Sequence, residues 1–210
     1  MTQHDSIFRL ILILGFTVVF PIALYYRLKS QASKEKLDRR AEGIFILSTL
    51  RPIALLRMLG LLAYVMDPAR MAWSSLPLPI WLRWIGVPLG VTAAVLLIVV
   101  MRSLGTNLTD TVVTRVRHTL VTSGPYRWVR HPFYVATALA VAADTLVTAN
   151  WFLAVTGAAT ISLFALRSST EEEKLLERFG DEYRDYMART GRFLPQRRVG
   201  REGPQGTQSK

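Results

Sequence analysis

The sequence predicts an all-α fold: a polytopic helical membrane protein with about five transmembrane helices, a long polar loop and a C-terminal helix outside the bilayer. Three observations carry this expectation. Half of the 210 residues are apolar and fall in long blocks, the pattern of a membrane protein. The 26 lysines and arginines, which give a net charge of +11, flank those blocks, so topology accounts for them better than nucleic-acid binding does. Two further apolar stretches are separated only by Thr148-Ala149-Asn150, which reads as a tight helical hairpin.

Residues 7–26 form the first block, with a single charge, Arg9, placed to snorkel to the interface, and with Pro21 near its end. Its twenty residues match the roughly 20 that cross a bilayer. No cleavable signal peptide is expected, because no small-residue cleavage site follows it. Residues 27–42 carry six basic side chains and read as a solvated loop. Residues 43–66 are apolar but interrupted by Arg51-Pro52 and Arg57, and are expected as one kinked span. Residues 67–83 form a connector rich in proline and tryptophan, in which Trp81, with Trp84 just beyond, reads as an interfacial anchor. Residues 85–101 make an uncharged span ending at Arg102.

The hairpin arms, residues 133–147 and 151–166, are short for a crossing at about 1.5 Å per residue. Asp144 in the first arm reads as a hydrogen-bonded residue at its far end. Residues 167–192 are polar and helical in pattern, with Leu175, Leu176, Phe179, Tyr183 and Tyr186 as an apolar stripe. The tail, residues 196–210, has a disordered composition. Basic residues number six after the first span, two in the connector, five in residues 102–130 and ten from Arg167 on. That bias places the polar loop and C-terminal region in the cytoplasm and the N-terminus outside, with a bacterial inner membrane as the expected location. There is no cysteine, hence no thiolate chemistry, and three histidines do not make a metal site.

The chemistry is concentrated in His118-Thr-Leu-Val-Thr-Ser-Gly-Pro-Tyr126 and Arg130-His131-Pro132-Phe-Tyr134. Gly124-Pro125 signals a turn, and Pro132 suits a first helical position. The short hairpin returns the chain at Arg167, so His131 and Tyr134 are expected near Arg167, Glu171 and Glu172. Arg167 and Glu171 are four apart and share a helix face; on an exposed helix such a pair is an ordinary ion pair worth a few tenths of a kcal/mol.

These motifs, followed by Arg167-x-x-x-Glu171-Glu172-x-x-Leu175-x-x-x-Phe179-Gly180-x-Glu182-Tyr183, resemble the isoprenylcysteine carboxyl methyltransferase family. They are also similar to the wider group of integral-membrane methyltransferases that includes phospholipid methyltransferases. The resemblance covers residues 104–195, the expected catalytic region, behind N-terminal transmembrane helices in residues 1–103. It implies S-adenosylmethionine as cofactor and a hydrophobic or prenylated acceptor at the membrane surface, with no nucleic acid and no metal. By position it implies that His118, Thr119, Leu120, Val121 and Tyr126 line the cofactor pocket, that His131, Pro132, Phe133 and Tyr134 continue its wall, and that Glu171 binds the cofactor's polar end. Arg167 is implied as the catalytic residue that holds the acceptor carboxylate. Two positions depart from the family pattern: Ala136 stands where glycine is frequent, and Thr111 where the eukaryotic members have glutamine.

A carboxylate acceptor is already anionic, so its methylation rests on positioning and exclusion of water, and an arginine fork suits it. An amine acceptor needs a base, for which His131 or Glu172 is the candidate. The sequence leaves other functions open: phospholipid or amine N-methylation, an NADPH-dependent membrane reductase, and a non-catalytic membrane scaffold. The reductase fits poorly, since its phosphates call for basic residues where residues 171–173 are acidic.

Overall fold

A bilayer offers the backbone no hydrogen-bond partner, so apolar blocks of this length close their amides internally as helices. The computed structural model describes residues 3–31, 44–104 and 120–196; His118, Thr119 and Thr111 lie outside them, as do residues 197–210 of the tail. Among the described residues the helices are α1 Gln3–Gln31, α2 Ile44–Met66, α3 Ile80–Leu104, α4 Pro132–Thr148, α5 Trp151–Phe179 and α6 Asp181–Arg189. Short 3-10 turns occupy Pro68–Ser74 and Gly124–Arg127. Four helices (α1, α2, α3 and α5) are long and apolar enough to cross a membrane, and α4 is a shorter apolar helix. The chain is thus an all-helical integral membrane protein, in line with the expected fold class.

α3 packs chiefly on α4, and α2 on α5. The α3–α4 seam is close because Gly86 leaves no side chain there: a Cβ on it would lie 2.8 Å from the Ala143 carbonyl oxygen. Ala93, Ala136, Ala143 and Val147 are buried. α1 is peripheral and keeps Leu10, Leu14, Phe16, Val18 and Phe20 exposed, as a lipid-facing surface requires.

At 17 residues, α4 spans about 25 Å, short of the roughly 30 Å hydrocarbon core. Polar contacts seal its far end. Ala149 turns the chain with φ 47°, and Asn150 caps α5 by accepting from the Leu153 amide at 3.1 Å. The Asn150 side chain also donates to Met71 O (3.2 Å) and Ser74 Oγ (2.7 Å), and Leu76 N donates to Ala149 O (2.6 Å). The 67–83 connector therefore roofs the hairpin.

Arg83 completes this end. It lies in the first turn of α3, which starts at Ile80 and not near residue 85 as the connector's composition implies. Its Nε and Nη2 donate to Val147 O at 3.1 and 2.9 Å, its Nη1 to Asp5 Oδ1 at 2.9 Å, and its Nη2 to Tyr64 Oη at 3.3 Å. Its guanidinium lies 4.3 Å from the Phe8 ring centroid. Arg9, expected to snorkel, instead donates through Nε to Val65 O at 2.6 Å.

Two other expectations change. Asp144 does more than hydrogen-bond near a helix end: its Oδ2 pairs with Arg57 of α2, whose Nη1 also donates to Leu153 O. Room for that guanidinium exists because residue 157 is glycine; a Cβ there would lie 2.6 Å from Arg57 Nη1. The C-terminal polar stretch is not a helix of its own. α5 continues unbroken from Trp151 to Phe179, because Ser168, Thr170 and the glutamates change the environment the helix faces without ending it. The break comes at Gly180, φ 52°, before α6.

Candidate functional site

The unbroken α5 carries Arg167, Glu171 and Glu172 past its apolar segment to the end of the bundle where α4 begins. Pro132, buried, is the first residue of α4, and His131 precedes it. The antiparallel hairpin sets these two groups side by side, as the short connection requires.

Glu171 is the centre of one cluster. Its Oε1 accepts from Tyr134 Oη at 2.7 Å and from Arg167 Nε at 3.0 Å, and its Oε2 lies 3.5 Å from His131 Nδ1. Glu172, one residue on, faces another set. Its Oε1 accepts from Arg130 Nε at 2.8 Å and lies 3.2 Å from His131 Nε2, and its Oε2 accepts from Arg192 Nε at 3.1 Å and from Arg192 Nη2. The His131 ring thus stands between two carboxylates, one at each nitrogen. It stacks on Tyr134 (centroids 5.3 Å apart, planes 5° from parallel), and Tyr134 stacks on Phe164 on its other side at 4.6 Å and 12°. With both ring faces covered, Tyr134 presents its hydroxyl to the site. Phe133 packs edgewise on Tyr134.

The loop before α4 closes the cluster from one side. Leu120 and Val121 are half-buried in the segment leading to the Gly124–Arg127 turn, where Gly124 has φ 61° and sits against Ser103 of α3. The carbonyl of Tyr126 accepts from Tyr186 Oη at 2.6 Å, which ties the turn to α6. Burial pushes the Tyr126 phenol well above its usual range, and the neighbouring Tyr186 and Glu171 push in the same direction, so it stays neutral. Residues 190–196 close the other side: Gly191 O and Arg192 O accept from the amides of Arg130 and His131 at 2.8 and 3.1 Å.

Of the residues expected from sequence, His131, Tyr134, Arg167 and Glu171 meet in one network, with Pro132 and Phe133 beside it and Tyr126 facing it from the turn. Arg130, Phe164, Arg192 and Phe193 were not expected as parts of the site, and Glu172 was considered only as a base. Arg130 adjoins His131 in the motif, and Tyr186 belongs to the apolar stripe, so both had a signal. Nothing in local spacing points to Arg192, which reaches Glu172 from 20 residues away.

The chain is similar to several known proteins. A family model described as "Isoprenylcysteine carboxyl methyltransferase (ICMT) family" matches residues 85–177. The chain is 35% identical over 127 residues to a protein-S-isoprenylcysteine O-methyltransferase of Rattus norvegicus, covering 59% of this chain and 44% of that protein. It is 41% identical over 70 residues to a methanethiol S-methyltransferase of Mycobacterium tuberculosis, covering 33% of this chain and 28% of that protein. The match thus spans less than half the length of these relatives. A solved structure of the eukaryotic intramembrane Ras methyltransferase ICMT aligns over 89% of this chain and 72% of its own, with 20% identity and a TM-score of 0.49. The residues that match the family model, 85–177, run from the body of α3 across the hairpin and past the Glu171–Glu172 pair, so it is this part of the chain that is similar to the isoprenylcysteine carboxyl methyltransferase family.

Proposed function

We propose that the chain is an integral-membrane methyltransferase that moves a methyl group from S-adenosylmethionine to a hydrophobic or lipid-linked acceptor, a carboxylate in the preferred reading. The observation that carries this is the Tyr134–Glu171–Arg167 cluster at the membrane-proximal end of α5. S-adenosylmethionine supplies the transferable methyl on a sulfonium. The residues present fit it. Glu171 is a half-buried carboxylate whose two oxygens hold about four acceptor sites, and with Tyr134 and Arg167 both on Oε1 the carboxylate suits an ammonium. Tyr134 and Arg167 hold that carboxylate in place. His118, Thr119, Leu120, Val121 and Tyr126 are assigned to the cofactor pocket by their motif positions.

Arg167 donates through Nε to Glu171, which fixes the guanidinium plane beside the Glu171 carboxylate. Its terminal nitrogens belong to the same planar fork, the geometry that matches an acceptor carboxylate. Such an acceptor needs no base, so the chain's task is to position it and exclude water. The basic bias of the surrounding segments supports a cytoplasmic site.

Methylation of a small thiol is the second reading, and the similarity to a methanethiol S-methyltransferase favours it. A thiol gives Arg167 no carboxylate to hold. Calorimetry of S-adenosylmethionine binding to detergent-purified protein, with Glu171→Ala alongside, tests the cofactor assignment; equal binding by both would remove Glu171 from it. Tritiated methyl transfer to a prenylated cysteine or to methanethiol separates the acceptors, because a methyl ester releases methanol in alkali and a thioether does not. Under the carboxylate reading Arg167→Lys raises the acceptor KM by more than it weakens cofactor binding, because a lysine can still pair with Glu171 but offers no fork. Under the thiol reading the acceptor KM stays near wild type.

A further inference from the structure

Glu172 and Glu171 are adjacent carboxylates with different surroundings. The Glu171 side chain is 19% exposed, whereas that of Glu172 is 4% exposed and its oxygens are taken up by Arg130, Arg192 and His131. A carboxylate this enclosed, facing two guanidiniums, has no lone pair to offer a ligand and little tendency to accept a proton. It is therefore not the base that an amine acceptor would need. What it can do is hold its three partners in place.

Those partners connect the site to the last described segment of the chain. Arg130 donates to Glu172 and also to the carbonyls of Thr190 and Met187, the latter at 3.3 Å. Arg192 returns from residues 190–196 to the other oxygen of Glu172 and lies 3.4 Å from Ser169 Oγ. The main chain makes the same junction, from Arg130 N to Gly191 O and from His131 N to Arg192 O. Phe193 then packs on the His131 ring, centroids 5.7 Å apart and planes tilted by 43°. His131 is held by Glu172 at Nε2 and meets Glu171 with Nδ1.

We infer that Glu172 is a positioning residue: with Arg130 and Arg192 it clamps residues 190–196 across the start of α4, and through His131 it sets Glu171 for the cofactor. This rests on the S-adenosylmethionine reading of Glu171. A buried charge held by several partners fails as a unit, so losing one guanidinium unsettles the rest. Arg192 is the member to remove, because its side chain is 38% exposed and it lies beyond the end of α6, outside any helix.

The test uses the full chain in detergent, as wild type, Arg192→Ala, Arg192→Lys, Glu172→Gln and the Arg192→Ala/Glu172→Gln double variant. Hydrogen exchange without ligand reads the clamp, calorimetry reads S-adenosylmethionine affinity, and steady-state kinetics read the acceptor KM. Arg192→Ala is expected to speed exchange in residues 190–196 and to weaken cofactor binding on the order of tenfold, with the acceptor KM nearly unchanged. Arg192→Lys, a point charge in place of a fork, is expected to fall between it and wild type. The double variant is expected to bind no worse than Glu172→Gln alone, since the two residues act together. Wild-type exchange and affinity in Arg192→Ala would overturn the inference, and that arm decides the matter even if Glu172→Gln does not fold. Wild-type protein that binds no S-adenosylmethionine would instead overturn the cofactor reading, with exchange still deciding whether the clamp exists.

Discussion

Arg57 of α2 pairs with Asp144 of α4 inside the helix bundle, and the same guanidinium donates to the carbonyl of Leu153 on α5. Three helices meet at one charge. Both side chains are nearly buried, at 9% and 14% exposure, so neither can exchange its partner for water. Removing one member leaves an uncompensated charge, whereas replacing both by apolar residues of similar size removes the problem. Arg57→Ala is therefore expected to cost about 3–5 kcal/mol, and Arg57→Met combined with Asp144→Leu to fold nearly as stably as wild type. Unfolding of the detergent-solubilised variants by denaturant measures this. A double variant no better than the single one would show that the pair contributes more than mutual compensation.

Gly86 and Gly90 both lie on the α3 seam, but the space around them differs. A Cβ at position 86 meets the Ala143 carbonyl oxygen and Val147 Cγ2 at 2.8 Å, while one at position 90 meets the Ala143 Cβ at an ordinary 3.5 Å. Gly86→Ala should push α3 away from α4 and cost about 1–3 kcal/mol. Gly90→Ala should be close to neutral or slightly stabilising, because alanine is the better helix former by about 1 kcal/mol. Thermal unfolding of the two variants side by side makes the comparison, and equal losses would contradict it.

Tyr134 is tied to Glu171 by its hydroxyl, while its ring is held between His131 and Phe164. Tyr134→Phe keeps both stacks and removes the hydroxyl with its 2.7 Å hydrogen bond to Glu171. A hydrogen bond to a charged group is worth about 1.5–3 kcal/mol, so cofactor affinity should fall on the order of tenfold or more. Stability should change little. Calorimetry paired with a melting curve separates the two effects, and unchanged affinity would mean that Arg167 alone orients Glu171.

Asn150 does two tasks at the hairpin tip. It caps α5 through Oδ1 and binds the 68–74 turn through Nδ2. Asn150→Ala loses a cap worth about 0.5–2 kcal/mol and also strips a donor from the buried Ser74 and Met71 O. Asn150→Asp keeps the cap but loses the donor, so it should fall between alanine and wild type if the cap dominates. Proteolytic susceptibility of the 67–79 connector gives a local readout, expected to rise in both variants.

Much of the fold was legible in the sequence, since lipid selects for composition residue by residue. The apolar blocks of α1 and α3, the hairpin break at residues 148–150 and the helix start at Pro132 follow from local chemistry. The block from residue 43 proved to be one continuous helix from Ile44, with Pro52 inside it, because an apolar surrounding offers its backbone no partner outside the helix. Boundaries were less legible. Arg83 read as a connector residue because its charge sits at the edge of an apolar run, and α5 read as two pieces because its polarity changes at Arg167 while its helical periodicity does not.

The candidate site divides in the same way. Its motif, the i,i+4 spacing of Arg167 and Glu171, and the return of the chain beside His131 were all readable, because each depends on local geometry or on the shortness of the hairpin. The positions of Arg57, Arg130, Arg192 and Phe164 were not. Each depends on how helices rotate and cross, and a guanidinium finds its carboxylate across 87 residues for Arg57 and 20 for Arg192. Composition and periodicity establish that helices form and which stretches enter the membrane. Which buried charges meet is set by packing, since a charge away from water is stable only where the assembled fold brings it a partner.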